Sequence, residues 1–494
     1  MAQRMVIEPG MAEFERRARE GSLVPLSCEV LADLDTPISA FMRLRHLPQA
    51  FLLESAEGNE KLARYSFLGG APRLRLCATL SGVEITEGSV TRRVARDPLD
   101  AARDIMRRYR PVEDAGLPRF YGGLVGYFSY DLIRKIERLP NEPPDDRGFP
   151  ILDLALADTV VAFDHLRHRL RIVASAFVED GAERAHRAAR ERIEEWLELL
   201  RRPLPGPPPA ATEVPRLRLR SNMTRERYLD GVRRCREYIH AGDAFQIVFS
   251  QRFAADIDDL DPLTIYRALR MINPSPFMFY LEGHGTTLVG ASPELLVRLE
   301  GDLVEMRPIA GTRRRGLTDE EDRALADEML ADEKERAEHV MLVDLTRNDV
   351  GRISRFGTVR VPELMTVERY SHVMHIVSQV QGRLEAGRDA FDVLRAVFPH
   401  GTVSGAPKVR AMEILDELEP TARGPYAGAV GYVGFGGTLD TCIAIRTLAI
   451  KDGVAYAQAG GGIVADSVPE SEYDETINKA KVLIRAIEAA ARGL

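Results

Sequence analysis

Between residues 332 and 349 the apolar positions recur at helical spacing, and the polar positions between them collect into a row. Asp332 stands where such a helix would begin, with Glu335 three residues on, the spacing of a capping box. Glu335, Glu338, His339 and Leu342 then follow at i, i+3, i+4 and i+7, which sets two carboxylates and an imidazole on one face. Ala337, Val340, Met341, Val343 and Leu345 make the remaining rows apolar enough to bury. Carboxylates side by side on a half-buried helix call for a cation, and oxygen-only donors suit Mg²⁺ before Zn²⁺. Taken alone, the segment reads first as a solvated acidic face, and the metal reading needs a second observation. The Glu-x-x-His and His-x-x-Glu-His metal motifs are excluded, because Arg336 and Glu335 stand at the positions they need.

Elsewhere the pattern divides the chain in two. Residues 1–24 form an N-terminal extension with a short charged helix at 11–20. Residues 25–202 form a first lobe, with short β-like runs at 50–55, 73–77, 122–127, 159–163 and 170–173. The same lobe holds helices at 103–110 and 181–202, the latter containing the single tryptophan, Trp196. Six prolines between 203 and 215 can join neither a helix nor a central strand, so 203–221 reads as a linker. Residues 222–494 form a second lobe. It opens with a helix from Asn222 to about Gly242, followed by strands at 245–253, 277–282, 286–290 and 294–299. Thr318 and Glu321 repeat the capping-box spacing before another helix. Beyond 349 come strands near 358–361 and 374–382, a helix at 389–398, a loop at 400–407 and a helix at 408–418. Two glycine-laced strands at 426–450, a strand at 454–458 and a final helix from about 469 complete the chain. Strands and helices alternate without a βαβ repeat, which favours α+β over a doubly wound sheet.

Composition narrows the class without changing the picture. With 494 residues, 45% of them hydrophobic and 29% charged, the chain is that of a large globular protein. A net charge of −8 argues against nucleic acid as partner. Cys28, Cys77, Cys235 and Cys442 are far apart and form no C-x-x-C pair, which fits a reducing cytoplasm. The first residues lack an apolar signal core, and no apolar run is long enough to span a bilayer.

Candidate chemistry concentrates in the second lobe. Gly460, Gly461 and Gly462 follow an apolar strand; consecutive glycines let backbone N–H groups approach an anion, and they equally suit a flexible hairpin tip. Ser467 and Glu470 make a third capping-box pattern. The helix after them carries Glu472, Glu475 and Lys479 on one face. Two acidic helical faces together can supply direct ligands and water acceptors to octahedral Mg²⁺. Arg446, a lone cation in the run 441–447, reads as a carboxylate clamp or as an edge arginine.

Several long motifs carry a resemblance: LLES (52–55), FQIVFSQ (245–251), NPSPFMFY (273–280), GASPE (290–294), RPIAGT (307–312), DEKERAEHVMLVDLTRND (332–349), HGTVSGAPK (400–408) and GGGIVADSVPESEYDETINKA (460–480). From about 25 to 485 the chain resembles the large subunit of anthranilate synthase, among the chorismate-utilising enzymes. The resemblance implies an α+β fold of two packed, mainly antiparallel sheets with helices outside and a central cleft. It makes 25–202 a tryptophan-binding regulatory lobe and 222–494 the chorismate-binding catalytic lobe. It implies Mg²⁺ held by Glu338 and Glu475, with Glu335 and Glu472 acting through the ion's waters. Chorismate is expected near Gly311, Thr312, Tyr426, Arg446, Lys479 and the amides of Gly460, Gly461 and Gly462. Glu294 is the implied general acid for loss of the C4 hydroxyl, which requires a raised pKa. His375 is the position tied to pyruvate elimination, and Thr402 is a neighbouring hydroxyl. Leu53, Glu54, Ser55, Pro276, Phe277 and Met278 match the family's tryptophan site, with Glu54 and backbone carbonyls expected to accept from the ammonium group.

Two positions bear on the product. Relatives that make aminodeoxychorismate carry a lysine within PIKGT where Ala310 stands here. Relatives that add water carry a lysine base where Gln246 stands, and Gln cannot deprotonate water. Anthranilate is therefore the expected product, made via aminodeoxyisochorismate, as the first committed step of tryptophan biosynthesis. Aminodeoxychorismate synthase component I, isochorismate synthase and a non-catalytic, tryptophan-sensing amidotransferase partner are the rival readings. No Cys stands in a G-x-C-x-G context. Free ammonia should therefore serve alone, and glutamine only through a separate amidotransferase subunit, in a heterotetramer of two large and two small subunits.

Overall fold

A computed structural model of the chain describes residues 6–56, 64–204, 206, 217, 219–258, 260–370 and 373–493. Most of the expected linker, and residues 371–372 of the stretch before His375, lie outside the described residues.

The strands gather into two antiparallel sheets, and each sheet draws on both halves of the sequence. In the first, Phe51–Glu54 pairs with Phe277–Glu282, with Glu54 opposite Met278. On one side of that junction the sheet continues through Tyr65–Gly69, Thr159–Asp164, Arg169–Phe177 and Leu23–Leu31. On the other it continues through Thr287–Ser292, Thr447–Lys451, Val454–Ile463 and Gln246–Asp256. The second sheet has the same construction: Gly123–Phe128 pairs with Ala429–Gly434 across the two halves. The two sheets pack through an aromatic layer at this double junction, where Phe67, Phe120, Tyr127, Phe279 and Tyr432 are buried together. Phe120 stacks on Tyr432 with ring centroids 4.2 Å apart. The fold is thus the expected α+β sandwich with helices outside.

One acidic helix rides on each sheet. Glu333–Gly351 packs on Ile309–Arg314 and Val373–Arg383 of the second sheet, and Pro469–Ala491 packs on Val454–Ile463 of the first. This is how two carboxylate rows far apart in sequence come to line one cavity.

Several local expectations change. Asp332 does cap its helix, accepting from the amides of Lys334 and Glu335, but the Glu335 side chain turns to Arg313 and closes no capping box. The next helix face divides: Glu335, Glu338 and Leu342 border the cavity, whereas His339 is fully buried and bonds Ser378 Oγ at 2.6 Å. Ala337 and Val340 are exposed rather than buried; the buried row runs through Val343, Thr346 and Val350, which sit on the sheet. Ser467 caps nothing: the helix begins after Val468, and the Ser467 hydroxyl donates to Glu472 instead. The helix expected at 103–110 is Pro98–Met106, started by an Asp97 cap. The strand expected near 358–361 is the longer Arg360–Arg369, one arm of a hairpin with Val373–Arg383.

Candidate active site

The cleft between the sheets holds an outer chamber of about 1030 Å³ and an inner one of about 230 Å³. Gly311, Thr312, Glu338, His375, Arg446, Glu475 and Lys479 border both. Gly462 also borders both; the inner chamber adds Gln246, Glu294, Ala310, Thr402, Tyr426 and Gly460, and the outer one adds Glu335 and Glu472.

Glu294 follows the strand Thr287–Ser292, where the Ser292 hydroxyl takes its amide N–H. The carboxyl is 5% exposed, and its Oε1 has no hydrogen-bond partner in the protein. Burial pushes its pKa up to about 8, against the pull of Thr402, the Ile309 amide, Arg446 and Lys479. A carboxylic acid that keeps its proton at neutral pH is poised to donate it.

His375 lies on the strand Val373–Arg383 and is also buried, which holds it below the usual imidazole range. Its Nδ1 is 2.9 Å from the Gly311 carbonyl oxygen. A carbonyl only accepts, so Nδ1 carries the hydrogen and Nε2 is left with a lone pair. The neutral ring is therefore a base.

Arg446 is not within a strand, as its sequence neighbours suggested. It joins Leu439–Ile443 to Thr447–Lys451 in the left-handed region, at φ 49°. Among the described residues no hydrogen bond takes its guanidinium; burial disfavours its charge and only Glu294 offsets this. An unpaired, half-buried cation bordering a cavity is a site for an anion.

The glycine triplet lies inside the strand Val454–Ile463, not in a hairpin tip. Its partner on one side is Gln246–Asp256, while Thr447–Lys451 covers the other edge only as far as Ala457. The uncovered edge points into the cleft. There the Gly460 carbonyl accepts from Lys479 Nζ at 2.9 Å, and Tyr426 borders the same inner chamber. Alternation along a strand gives Gly462 the same orientation and turns the Gly461 backbone toward the partner strand. Gly461 accordingly borders neither chamber. A side chain at Gly462 would start 2.6 Å from Gln246 Nε2, and one at Gly461 would start 2.8 Å from Glu472 Oε2. The glycines keep space clear for the cavity's polar groups.

The four acidic residues come together around the outer chamber. Among the described residues no three His, Cys, Asp or Glu side chains are gathered tightly enough to hold an ion. Glu335 is held by Arg313 at 3.0 Å, and Glu475 by Lys479 at 2.6 Å. Burial raises the pKa of Glu338, and the charges of Glu335 and Glu475 raise it further; Glu472 is raised in the same way by burial and then by Glu475. Partly buried carboxylates that repel one another are a fitting donor set for a hard cation.

The six residues expected at a tryptophan site do meet. Leu53, Glu54, Ser55, Pro276, Phe277 and Met278 border one cavity between the sheets. It measures about 50 Å³, below the ~300 Å³ at the small end of ligand pockets. Glu54 is already engaged: Arg270 grips both its oxygens at 2.8 Å and Tyr266 donates at 2.9 Å. Any ammonium group there would fall to backbone carbonyls instead.

Other groups that shape the site had no spacing rule to reveal them. Lys408, largely covered, binds Asp349 at 2.7 Å and the Val397 carbonyl at 2.9 Å, and so ties the 400–407 loop to the first acidic helix. Arg423 is buried against Glu419, donates to the carbonyls of Val403 and Val248, and lies 5.6 Å from the Tyr426 ring centroid.

Two sheets with one acidic helix on each, a proton-bearing acid, a neutral base and an unpaired arginine define an enzyme site for a small anion. Residues 52–485 match the family described as chorismate binding enzyme, and the chain belongs to that family. It is 49% identical to anthranilate synthase component 1 of Acetivibrio thermocellus, over 98% of this chain and 99% of the relative. It is 48% identical to the Pseudomonas putida protein of the same name, over 97% and 98%. Among solved structures it is similar to anthranilate synthase component I from Streptococcus pneumoniae TIGR4, with TM-score 0.78, 37% identity and 92% and 98% of the two chains covered. The menaquinone-specific isochorismate synthase from Escherichia coli, at 19% identity and TM-score 0.71 over 96% and 99% of the chains, shares the fold.

Proposed function

We propose that this protein is the large subunit of an anthranilate synthase, converting chorismate and ammonia to anthranilate and pyruvate. The observation that carries the reading is the buried Glu294 carboxyl, protonated at neutral pH, sharing a chamber with the neutral His375 base and the unpaired Arg446.

Arg446 and the inward-facing backbone of Gly460 and Gly462, with Tyr426, suit the enolpyruvyl carboxylate. In the first step ammonia forms a bond to C2, both ring double bonds shift by one position, the C4–O bond breaks, and the ammonium group formed at C2 releases one proton. Glu294 supplies a proton to that oxygen, which leaves as water, and aminodeoxyisochorismate remains. In the second step His375 Nε2 takes the C2 proton, the C3–O bond to the enolpyruvyl group breaks, and pyruvate departs as the ring becomes aromatic. Ammonia arrives as a ready nucleophile, so Ala310 and Gln246, neither of which can act as a nucleophile or base, suffice in the inner chamber. Glu338 and Glu475, with Glu335 and Glu472 beyond them, would hold Mg²⁺, which when bound offsets the charge of the substrate's ring carboxylate.

Ammonia is expected to come from glutamine through a separate amidotransferase subunit, and tryptophan to inhibit from the cavity around Ser55. The deciding experiment incubates the protein with chorismate, Mg²⁺ and ammonium salt and separates the products. Fluorescent anthranilate is expected. Isochorismate or the 4-amino isomer as main product would overturn the reading, as would no turnover by folded protein.

A further inference from the structure

Two lysine or arginine side chains among the described residues border the inner chamber, Arg446 and Lys479. They differ in what holds them. No hydrogen bond takes the Arg446 guanidinium, so it is free to meet an anion. Lys479 is tied: its Nζ lies 2.6 Å from Glu475 Oε1, one turn earlier on the same helix, and donates to the Gly460 carbonyl at 2.9 Å. A third hydrogen remains on Nζ, but the ammonium charge is already offset by Glu475. The two side chains are about half exposed, at 44% and 48%, and an ion pair in that setting is weak.

Each of the four glutamates of the outer chamber has such a donor. Arg313 holds Glu335 at 3.0 Å, Gln246 Nε2 donates to Glu338 at 3.1 Å, and the Ser467 hydroxyl donates to Glu472 at 2.7 Å. Arg313 and Ser467 border neither chamber. Gln246 and Lys479 border the inner one, and of these two only Lys479 is charged. A divalent ion on Glu475 neutralises the charge that holds Lys479 and repels the ammonium group. The Gly460 carbonyl, which borders the same chamber, then keeps the freed Nζ at the chamber wall. A cation released there adds to the charge that Arg446 presents to an anion.

We propose that Lys479 is a metal-gated anion-binding residue: it and the metal ion compete for Glu475, and the ion's arrival turns Lys479 over to a carboxylate of the substrate. Anion affinity then has a constant part, from Arg446, and a part that the ion switches on, from Lys479. By linkage the substrate raises the affinity for the ion by the same factor. The proposal rests on Glu475 being a ligand of Mg²⁺.

The test uses the full chain as wild type, Lys479→Met, Arg446→Gln and Glu475→Gln, with folding checked by circular dichroism. Calorimetry measures chorismate binding in EDTA and at saturating Mg²⁺, and Mg²⁺ binding in the absence of chorismate. Ammonium salts are left out so that amination does not start. At saturating Mg²⁺, Lys479→Met should weaken chorismate binding by about tenfold or more, whereas in EDTA its affinity should stay within about twofold of wild type. Arg446→Gln should weaken chorismate binding by a similar factor in both conditions, because Arg446 is free in both. Mg²⁺ alone should bind Lys479→Met about threefold or more tightly than wild type, because the competitor for Glu475 is gone. Equal weakening of chorismate by Lys479→Met in both conditions is the behaviour of a cation acting only through its field, and it would overturn the gating while leaving the metal site standing. Unchanged Mg²⁺ affinity in Lys479→Met would do the same. Absence of Mg²⁺ binding by wild type, or wild-type Mg²⁺ affinity in Glu475→Gln, would overturn the ligand assignment, and the proposal with it.

Discussion

A buried carboxyl is an expensive feature for one residue to carry, and Glu294 shows what the expense implies. Its folded pKa of about 8 lies above the ordinary 4.5. The folded state then holds a proton that the unfolded state releases, so this group's contribution is fully present below pH 4.5 and is lost as pH rises through about 8. Glu294→Gln removes the titration. The variant is expected to be inactive in amination yet more heat-stable than wild type at pH 8, by roughly 2–4 kcal/mol, and scanning calorimetry at pH 5 and pH 8 would show whether the gain appears only at the higher value. The metal reading makes a second prediction at this scale. Glu338→Gln and Glu475→Gln each remove one charged donor and should lower turnover by about 100-fold or more without unfolding the protein. Full activity in EDTA would sink that reading. The spacing of Glu335, Glu338, Glu472 and Glu475 was readable as two acidic rows because helical periodicity is local. The departure of His339 from its row was not readable, because the choice between cavity and sheet depends on what packs against the helix.

At the scale of elements, the site is held by contacts between segments remote in sequence. Lys408 at the start of one helix binds Asp349 near the end of another; Asp349 is buried and the Lys408 side chain is 13% exposed. Removing one partner leaves the other charge uncompensated in the interior. Lys408→Met is expected to destabilise the protein by about 3–5 kcal/mol in urea denaturation, and Lys408→Met with Asp349→Asn by clearly less. Equal losses in the single and double variants would show that the pair is not the link. The glycine strand illustrates the limit of local reading. Three successive glycines are compatible with a hairpin tip, and nothing in their neighbours says otherwise. In the fold they continue a strand because one edge is paired with Gln246–Asp256 and the other has no strand beyond Ala457.

The whole molecule is one pair of sheets, and a segment at their junction lines two cavities at once. Pro276 borders the outer active-site chamber on one side and the cavity around Ser55 on the other. A ligand that enlarges the second cavity must move a segment that also lines the first. If tryptophan is that ligand, it favours an arrangement that binds chorismate poorly, and each ligand weakens the other by the same factor. Ser55→Arg should fill the cavity and relieve inhibition, leaving ammonia-dependent activity nearly intact. Calorimetric titration of tryptophan with and without chorismate would check the coupling; unchanged affinity, or wild-type inhibition of the Arg variant, would place the effector elsewhere. The Glu54 carboxylate is excluded as the free acceptor that the sequence suggested, since Arg270 and Tyr266 already hold it.

The sequence by itself determined the class of fold, the family, both acidic helical faces and, Gly461 apart, which of the expected residues border the cavities, because helical and strand periodicities and long motifs are properties of adjacent residues. Only the tertiary structure decided the electrostatic state of the groups. Glu294 is an acid because it is buried, His375 is a base because the Gly311 carbonyl takes its other nitrogen, and Arg446 is unpaired because its loop turns it into the cleft. Burial and hydrogen-bond partners come from residues tens to hundreds of positions away. The four cysteines are unpaired, and among the described residues no helix is long and apolar enough to cross a membrane. The same distinction explains the two halves. A proline-rich break marks a boundary in the chain, but strand edges on either side of it find their hydrogen-bond partners in each other, so both sheets run through the boundary that composition draws.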